Sequence, residues 1–198
     1  SGINWVEFQA NGIQRGRRNR FGWNRSWHQV MSAKEIPLDL QALAALCKAL
    51  PKPLTSAKTK RLSSWSNCKT RFQRGGPAEA ALVLNSFLQT RATGYQRHIS
   101  KPESSRQFCS RLSPYLAWGN LSLRQVYKAL KERQVQPDWK RPLAAFESRL
   151  HWRCHFIQKF EMECRMEYED LNCGYKLHPR RQDPERLKAW REGQTGFP

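Results

Sequence analysis

From Leu143 to Leu171 the chain contains neither glycine nor proline, and Leu143, Phe146, Leu150, Phe156, Ile157 and Phe160 recur along it at helical spacing. This stretch reads as the longest helix, starting near Pro142. Other stripes are bounded by residues that start or stop helices. Leu40, Leu43, Ala44, Leu46, Cys47 and Leu50 form a short stripe that halts at Pro51 and Pro53. Gly75-Gly76-Pro77 opens a helix carrying Ala80, Ala81, Leu84, Phe87 and Leu88 to about Arg91. Ser122 and Gln125 make a capping box ahead of a helix over Leu123–Arg133. Asp183-Pro184 caps a last helix through Leu187 and Trp190, ending at Gly193. Residues 52–74 and 92–106 read as loop, with helix resuming over Phe108–Leu112. No internal repeat is present, and strand character is confined to Ile3, Trp5 and Phe8 ahead of the turn-forming Asn11-Gly12. The body is therefore all-α, over 37–198, preceded by an irregular basic arm over 1–36.

Charge narrows the partners. The 198 residues hold 35 Lys and Arg against 16 Asp and Glu, a net +19. Such an excess repels itself in a compact chain and attracts polyphosphate, so nucleic acid or an acidic neighbouring domain is expected. An apolar share of 39% with 8 Trp supplies enough material for a core. No segment approaches a membrane span, and Ser1–Ala10 lack a leader pattern, which predicts a cytoplasmic protein, nucleoid-associated if bacterial. The six cysteines include no Cys-x-x-Cys pair and read as free thiols.

Three groups of residues have chemical potential. His151 and His155 are four apart, as in zinc-binding helices, but Trp152 stands where the glutamate of that motif belongs, so ordinary packing is the plainer reading. Glu161, Glu163, Glu167, Glu169 and Asp170 interleave with Lys159 and Arg165, as on a solvated face. Arginines and tryptophans adjoin repeatedly, at Arg25-Ser26-Trp27, Trp152-Arg153 and Trp190-Arg191. Cations neutralise phosphates while aromatic faces stack on bases, so interleaving suits single-stranded or extruded nucleotides. A helical core with basic margins has the same composition.

Ordered motifs go further. The run Cys109-Ser110-Arg111-Leu112-Ser113, five residues, Gly119-Asn120-Leu121-Ser122 resembles the flavin-binding helical domain of the DNA photolyase/cryptochrome family, whose pattern is Thr-Ser-x-Leu-Ser, five residues, Gly-x-Leu-Ser. Phe146 to Arg153 is similar to the family's helix ending in Trp-Arg. Asp183-Pro184 through Trp190-Arg191-Glu192-Gly193-Gln194-Thr195-Gly196-Phe197-Pro198 is similar to its Trp-x-x-Gly-x-Thr-Gly-[Phe/Tyr]-Pro. The resemblance covers Leu82 to Pro198, with Ile3–Trp27 similar to the preceding linker.

The resemblance implies a truncated, N-terminal part of a helical FAD-binding domain, and FAD as cofactor of the complete protein. It assigns the FAD phosphates to Cys109, Ser110, Arg111, Leu112 and Ser113, with Tyr95 upstream, Phe146 beside the flavin and Arg153 near the phosphates. Trp152 matches a tryptophan that packs on a flipped pyrimidine dimer in DNA. Arg149 stands where repairing members commonly carry a lesion-binding glutamate. Trp190 matches one electron-transfer tryptophan, while Arg180 replaces the outer one. The implied activity is light-driven repair of pyrimidine dimers by a lyase-type flavoprotein. The alternatives are a cryptochrome-like photoreceptor that binds FAD without repair, and a helical nucleic-acid-binding module without flavin. The expected partners are dimer-containing DNA and the remainder of the same polypeptide, the fragment itself being inactive.

Overall fold

The computed structural model describes residues 12–37, 39–49, 72–179 and 181–197. The expected strand at Ile3–Phe8, most of the loop over 52–74, and Arg180 lie outside them. The described residues form helices and turns with no strand. The chain divides into two compact units, Ser1–Met162 and Glu163–Pro198.

In the first unit the helices are α1 (Trp23–Ser32), α2 (Leu40–Ala49), α3 (Pro77–Gln89), α4 (Tyr95–His98), α5 (Pro102–Phe108), α6 (Ser113–Ala117), α7 (Leu123–Gln134) and α8 (Pro137–Met162), with a 3-10 turn over Arg91–Gly94. The capping box is formed as expected, Gln125 N donating to Ser122 Oγ at 3.1 Å and Ser122 N to Gln125 Oε1 at 2.8 Å. Helix α8 differs from its expected bounds at both ends. It begins at Pro137 and carries Pro142 in its second turn, where the missing amide removes one hydrogen bond near a helix start and leaves the rest of the ladder intact. It stops at Met162, after which Cys164–Glu167 form a 3-10 turn. Residues 92–106, expected as loop, instead carry α4 and most of α5, and Cys109–Leu112, expected as helix, form a bend.

The core follows the α8 stripe. Trp139, Leu143, Phe146, Leu150, Cys154 and Gln158 are buried along one side of α8, against Val126, Tyr127 and Leu130 of α7 and Phe87 and Leu88 of α3. Glu147 couples α7 to α8, accepting from Tyr127 Oη at 3.2 Å, Lys131 Nζ at 2.7 Å and Gln134 Nε2 at 3.3 Å. Burial and the Glu147 charge push the Tyr127 hydroxyl up to about 12.

The arm is not irregular throughout, since α1 forms within it. Trp23, Trp27 and Met31, spaced by four, bury one face of α1. Gly12 has φ +71°, and a Cβ there would stand 3.1 Å from the Trp27 ring, so the chain enters the core at a residue without a side chain. Gln158, fully buried, then clasps the backbone of Gln14: its Oε1 accepts from Gln14 N at 2.7 Å and its Nε2 donates to Gln14 O at 3.0 Å. Both ends of a buried amide are thereby satisfied.

In the second unit, Cys164–Glu167 and Cys173–Leu177 are 3-10 turns and Pro184–Glu192 is helix α9. Asp183 caps α9 by accepting from Arg186 N at 3.0 Å, and Gly193 ends it at φ +69°, matching the expected bounds. Glu169 is paired with two cations, Lys176 Nζ lying 3.0 Å and Arg165 Nη1 3.9 Å away. Cys109, Cys154, Cys164 and Cys173 are free thiols. Among the described residues no helix is long and apolar enough to cross a membrane.

Candidate functional site

The motif over Cys109–Ser113 is a bend held by its neighbours. Phe108, the last residue of α5, stacks on His98 with ring centroids 4.1 Å apart and planes 14° from parallel. Its ring lies over Gly94, where a Cβ would meet it at 2.2 Å. Cys109 N donates to Ser105 O at 2.7 Å, which closes α5. Arg111 then takes φ +61°, a left-handed conformation uncommon for a residue with a side chain. Leu112 returns to the right-handed region at φ −91°, ψ −11°, and its side chain is buried in the core. Such an alternation of hand turns successive amide N–H groups toward one side, a concavity suited to an anion.

The carbonyls of the bend are drawn away by two residues that the sequence did not single out. The Arg91 guanidinium donates to the Cys109 carbonyl, to Ser110 O at 3.4 Å and to Val83 O at 2.8 Å, and its Nε donates to Ser86 Oγ at 3.1 Å. Gln73 Nε2 donates to Arg111 O at 2.9 Å. Burial pushes the Arg91 guanidinium down from its ordinary value, and the like charge of Arg111 adds to this. No local signal marks Gln73. Arg91 could have been noticed only as a cation at the end of an otherwise apolar helix.

Beneath the bend lies an aromatic cluster. Tyr95, Phe87 and Phe146 meet edge to face, with centroids 5.6 Å (Phe87–Tyr95), 5.6 Å (Tyr95–Phe146) and 4.7 Å (Phe87–Phe146) apart. Tyr95 and Phe146 are only 5% and 3% exposed, so both belong to the floor of this region and neither lines an open cavity. Burial pushes the Tyr95 hydroxyl up to about 12, with Cys109 adding to the shift and the Arg149 charge opposing it. Tyr95 is thus within electrostatic reach of both the bend and Arg149. Arg149, exposed on α8, holds its guanidinium 5.3 Å from the ring centre of the half-exposed Trp152, which meets Phe156 at 5.7 Å.

Cys109, Tyr95, Phe146, Arg149 and Trp152 are therefore linked neighbours. Arg153 is not joined to them by any such contact: it interacts with Cys154, and its Nη1 is buried with no partner among the described residues. Trp190 lies on α9 in the second unit, 70% exposed.

His151 and His155 fasten the arm. His151 lies 5.0 Å from the Trp23 ring and 4.8 Å from the Trp27 ring, with its Nε2 3.2 Å from Asn24 Oδ1. His155 meets Trp23 at 6.2 Å. Burial holds both imidazoles below their usual range, reinforced at His151 by His28, His155 and Arg20, and at His155 by Arg20 and Lys159.

Comparison with known proteins bears on these motifs. Residues 146–198 match the family model described as the FAD binding domain of DNA photolyase. The chain is 27% identical over 165 residues to the deoxyribodipyrimidine photo-lyase of Halobacterium salinarum, covering 82% of this chain and 33% of that protein. It is 32% identical over 129 residues to cryptochrome-2 of Gallus gallus, and 32% identical over 128 residues to cryptochrome-1 of Spalax judaei, in each case 63% of this chain and 22% of the relative. The chain thus spans a third or less of the length of these relatives. No solved structure matches it.

Proposed function

We propose that this chain belongs to the DNA photolyase/cryptochrome family, to which its matches point, and that it forms part of an FAD-binding helical domain in a flavoprotein that repairs pyrimidine dimers in DNA by light-driven electron transfer. The observation that carries this reading is the Cys109–Ser113 bend. Its backbone alternates in hand at Arg111 and Leu112 while its carbonyls are tied back by Arg91 and Gln73. That leaves amides and the Ser110 and Ser113 hydroxyls as the groups available to a diphosphate, and donors without carboxylates suit one. The fit to FAD is good at this point. The Cys109 thiol supplies a weaker donor than the usual threonine hydroxyl.

Bound and reduced FAD would supply the electron on excitation by blue light. The chain's own residues do the rest. Leu112, anchored in the core, fixes the bend. Tyr95 and Phe146 give it a rigid, dry floor. Trp152 offers a half-exposed face on which a base turned out of the stack can lie, and Arg149 brings a cation beside that face. Trp190 serves as an electron relay, and Arg153, with its buried orphan nitrogen, is an additional cation for the cofactor's phosphates.

Two measurements on the complete protein test this. It should bind FAD and show oxidised-flavin absorption in the blue, and the double variant S110A/S113A should lower FAD affinity by about tenfold or more, two hydroxyl hydrogen bonds to a charged group being lost. A colourless protein whose affinity for added FAD is unchanged in that variant would refute the assignment.

The second reading is a photoreceptor that binds FAD without repair. Arg149 favours it, since its guanidinium already covers the Trp152 ring that a lesion would use. Loss of dimers from illuminated DNA separates the two readings, and R149E should raise repair if charge at this position is the obstacle.

A further inference from the structure

Residues 15–21 form a turn whose shape is fixed from within. Gly16 and Gly22 stand at φ +69° and +71°. The Arg17 guanidinium donates to Gln14 Oε1 and to the carbonyls of Asn19 and Phe21, and Asn19 Oδ1 accepts from Phe21 N at 3.0 Å. Arg17 is thus spent on shaping the turn. What the turn presents is Phe21, 90% exposed, with Arg18 and Arg20 exposed beside it. A large ring held out in water by a network of local hydrogen bonds serves no core, and an exposed aromatic among cations marks an interaction surface.

Its surroundings indicate the partner. Arg15 Nε lies 3.4 Å from Glu161 on α8, and the Arg20 guanidinium stands 5.7 Å from the Trp23 ring centre. From Trp23 the rings continue to His155 at 6.2 Å, Phe156 at 5.2 Å and Trp152 at 5.7 Å, where Arg149 lies over the last ring. The turn is therefore linked, through the fully buried Trp23 ring, to the exposed Arg149–Trp152 pair at the other end of this run.

We propose that this turn is a second nucleic-acid contact, outside the lesion pocket, in which Phe21 stacks on a base while Arg18 and Arg20 meet backbone phosphates. The inference rests on the nucleic-acid reading of the Trp152 face given above. Cations that neutralise phosphates beside a ring that accepts any base describe sequence-independent binding. A lipid surface fits less well, because interfacial anchoring takes a broad apolar helix face or an acyl chain and the turn offers one ring.

The test is fluorescence anisotropy of the full-length flavoprotein with a duplex that carries one pyrimidine dimer and ends in a single-stranded overhang, whose unpaired bases offer free faces, and with the same duplex undamaged. F21A should weaken binding to both by about tenfold, the lower part of the range for loss of one base–aromatic stack, and F21W should restore it. R18A/R20A should reduce the slope of log affinity against log salt by about 1.8, for two phosphate contacts. Because Phe21 is exposed, F21A should melt with the parent protein. If it melts lower, F21W and the salt slope of R18A/R20A decide the matter. Unchanged affinity in F21A on both duplexes, with an unchanged salt slope in R18A/R20A, would overturn the proposal. So would a loss confined to phosphatidylserine vesicles. W152A separates the two readings: if it leaves discrimination for the dimer intact while F21A still weakens both duplexes, the pocket assignment fails and this one stands.

Discussion

Replacing Gly94 with alanine isolates the packing that positions the Cys109–Ser113 bend. Gly94 has φ −90° and ψ −8°, which alanine adopts without strain, and on backbone entropy alone the change should stabilise the fold by about 0.4–1 kcal/mol. The side chain is the obstacle. A Cβ would stand 2.2, 2.4 and 2.9 Å from Cδ1, Cε1 and Cγ of Phe108, atoms of a rigid ring already stacked on His98. The ring must leave its seat, losing about 0.5–1.5 kcal/mol of aromatic contact and about 1.5–3 kcal/mol of burial if wholly displaced. Since Phe108 is only partly buried, a net loss of about 2 kcal/mol is expected. With a urea dependence of about 2 kcal/mol per molar, the midpoint should fall by roughly 1 M, read from the fluorescence of the buried Trp23 and Trp27. The double variant G94A/F108L should recover part of the loss, with a coupling above about 1 kcal/mol in the cycle. A G94A protein as stable as the parent, or more stable by the backbone increment, would refute the packing argument.

R91Q should cost about 2 kcal/mol, because carbonyls of the bend lose charge-assisted donors, and it should weaken FAD binding more than R91K does in flavin titrations. Stability should fall with acid because of His151 and His155. Their folded-state values lie below the unfolded value of about 6.5, so the unfolded chain binds protons first, and stability present above that pH is lost as pH drops through it toward the lower folded values. Melting temperatures measured from pH 7.5 to 5 should show this fall, and H151Q/H155Q should flatten it. W27A should destabilise by about 3–5 kcal/mol through the cavity left in the core, measurable by urea denaturation. W190F should slow photoreduction of bound flavin in transient absorption, with thermal stability unchanged because the ring is largely exposed.

Features written in neighbouring residues were legible in the sequence. The Ser122–Gln125 box, the Pro77 start and the Asp183-to-Gly193 helix each depend on a few consecutive side chains, and each is formed. Pro142 misled because it reads as a helix start, whereas it falls in the second turn of a helix that Pro137 opens, where it removes one ladder hydrogen bond and the helix continues past it. The α1 stripe of Trp23, Trp27 and Met31 was hidden by the arginines around it. Within the candidate site, the family resemblance pointed to the Cys109–Ser113 turn and to Arg149 and Trp152, which neither composition nor helical spacing singles out. What holds the bend in place was not visible, since Arg91 and Gln73 act on backbone carbonyls 18 and 38 residues away and a backbone acceptor leaves no trace in residue identity.

The clasp between Gln158 and Gln14 carries the same lesson into the history of the chain. Gln158 addresses the peptide unit at position 14 and ignores what side chain is attached there, so it tolerates drift in residue type while fixing the count of residues between that point and Trp23. A single insertion or deletion along this seam would rotate or strand the tryptophan anchors, whereas an exchange at position 14 would leave both bonds of the clasp in place. At this one point, length more than identity is what the clasp holds constant.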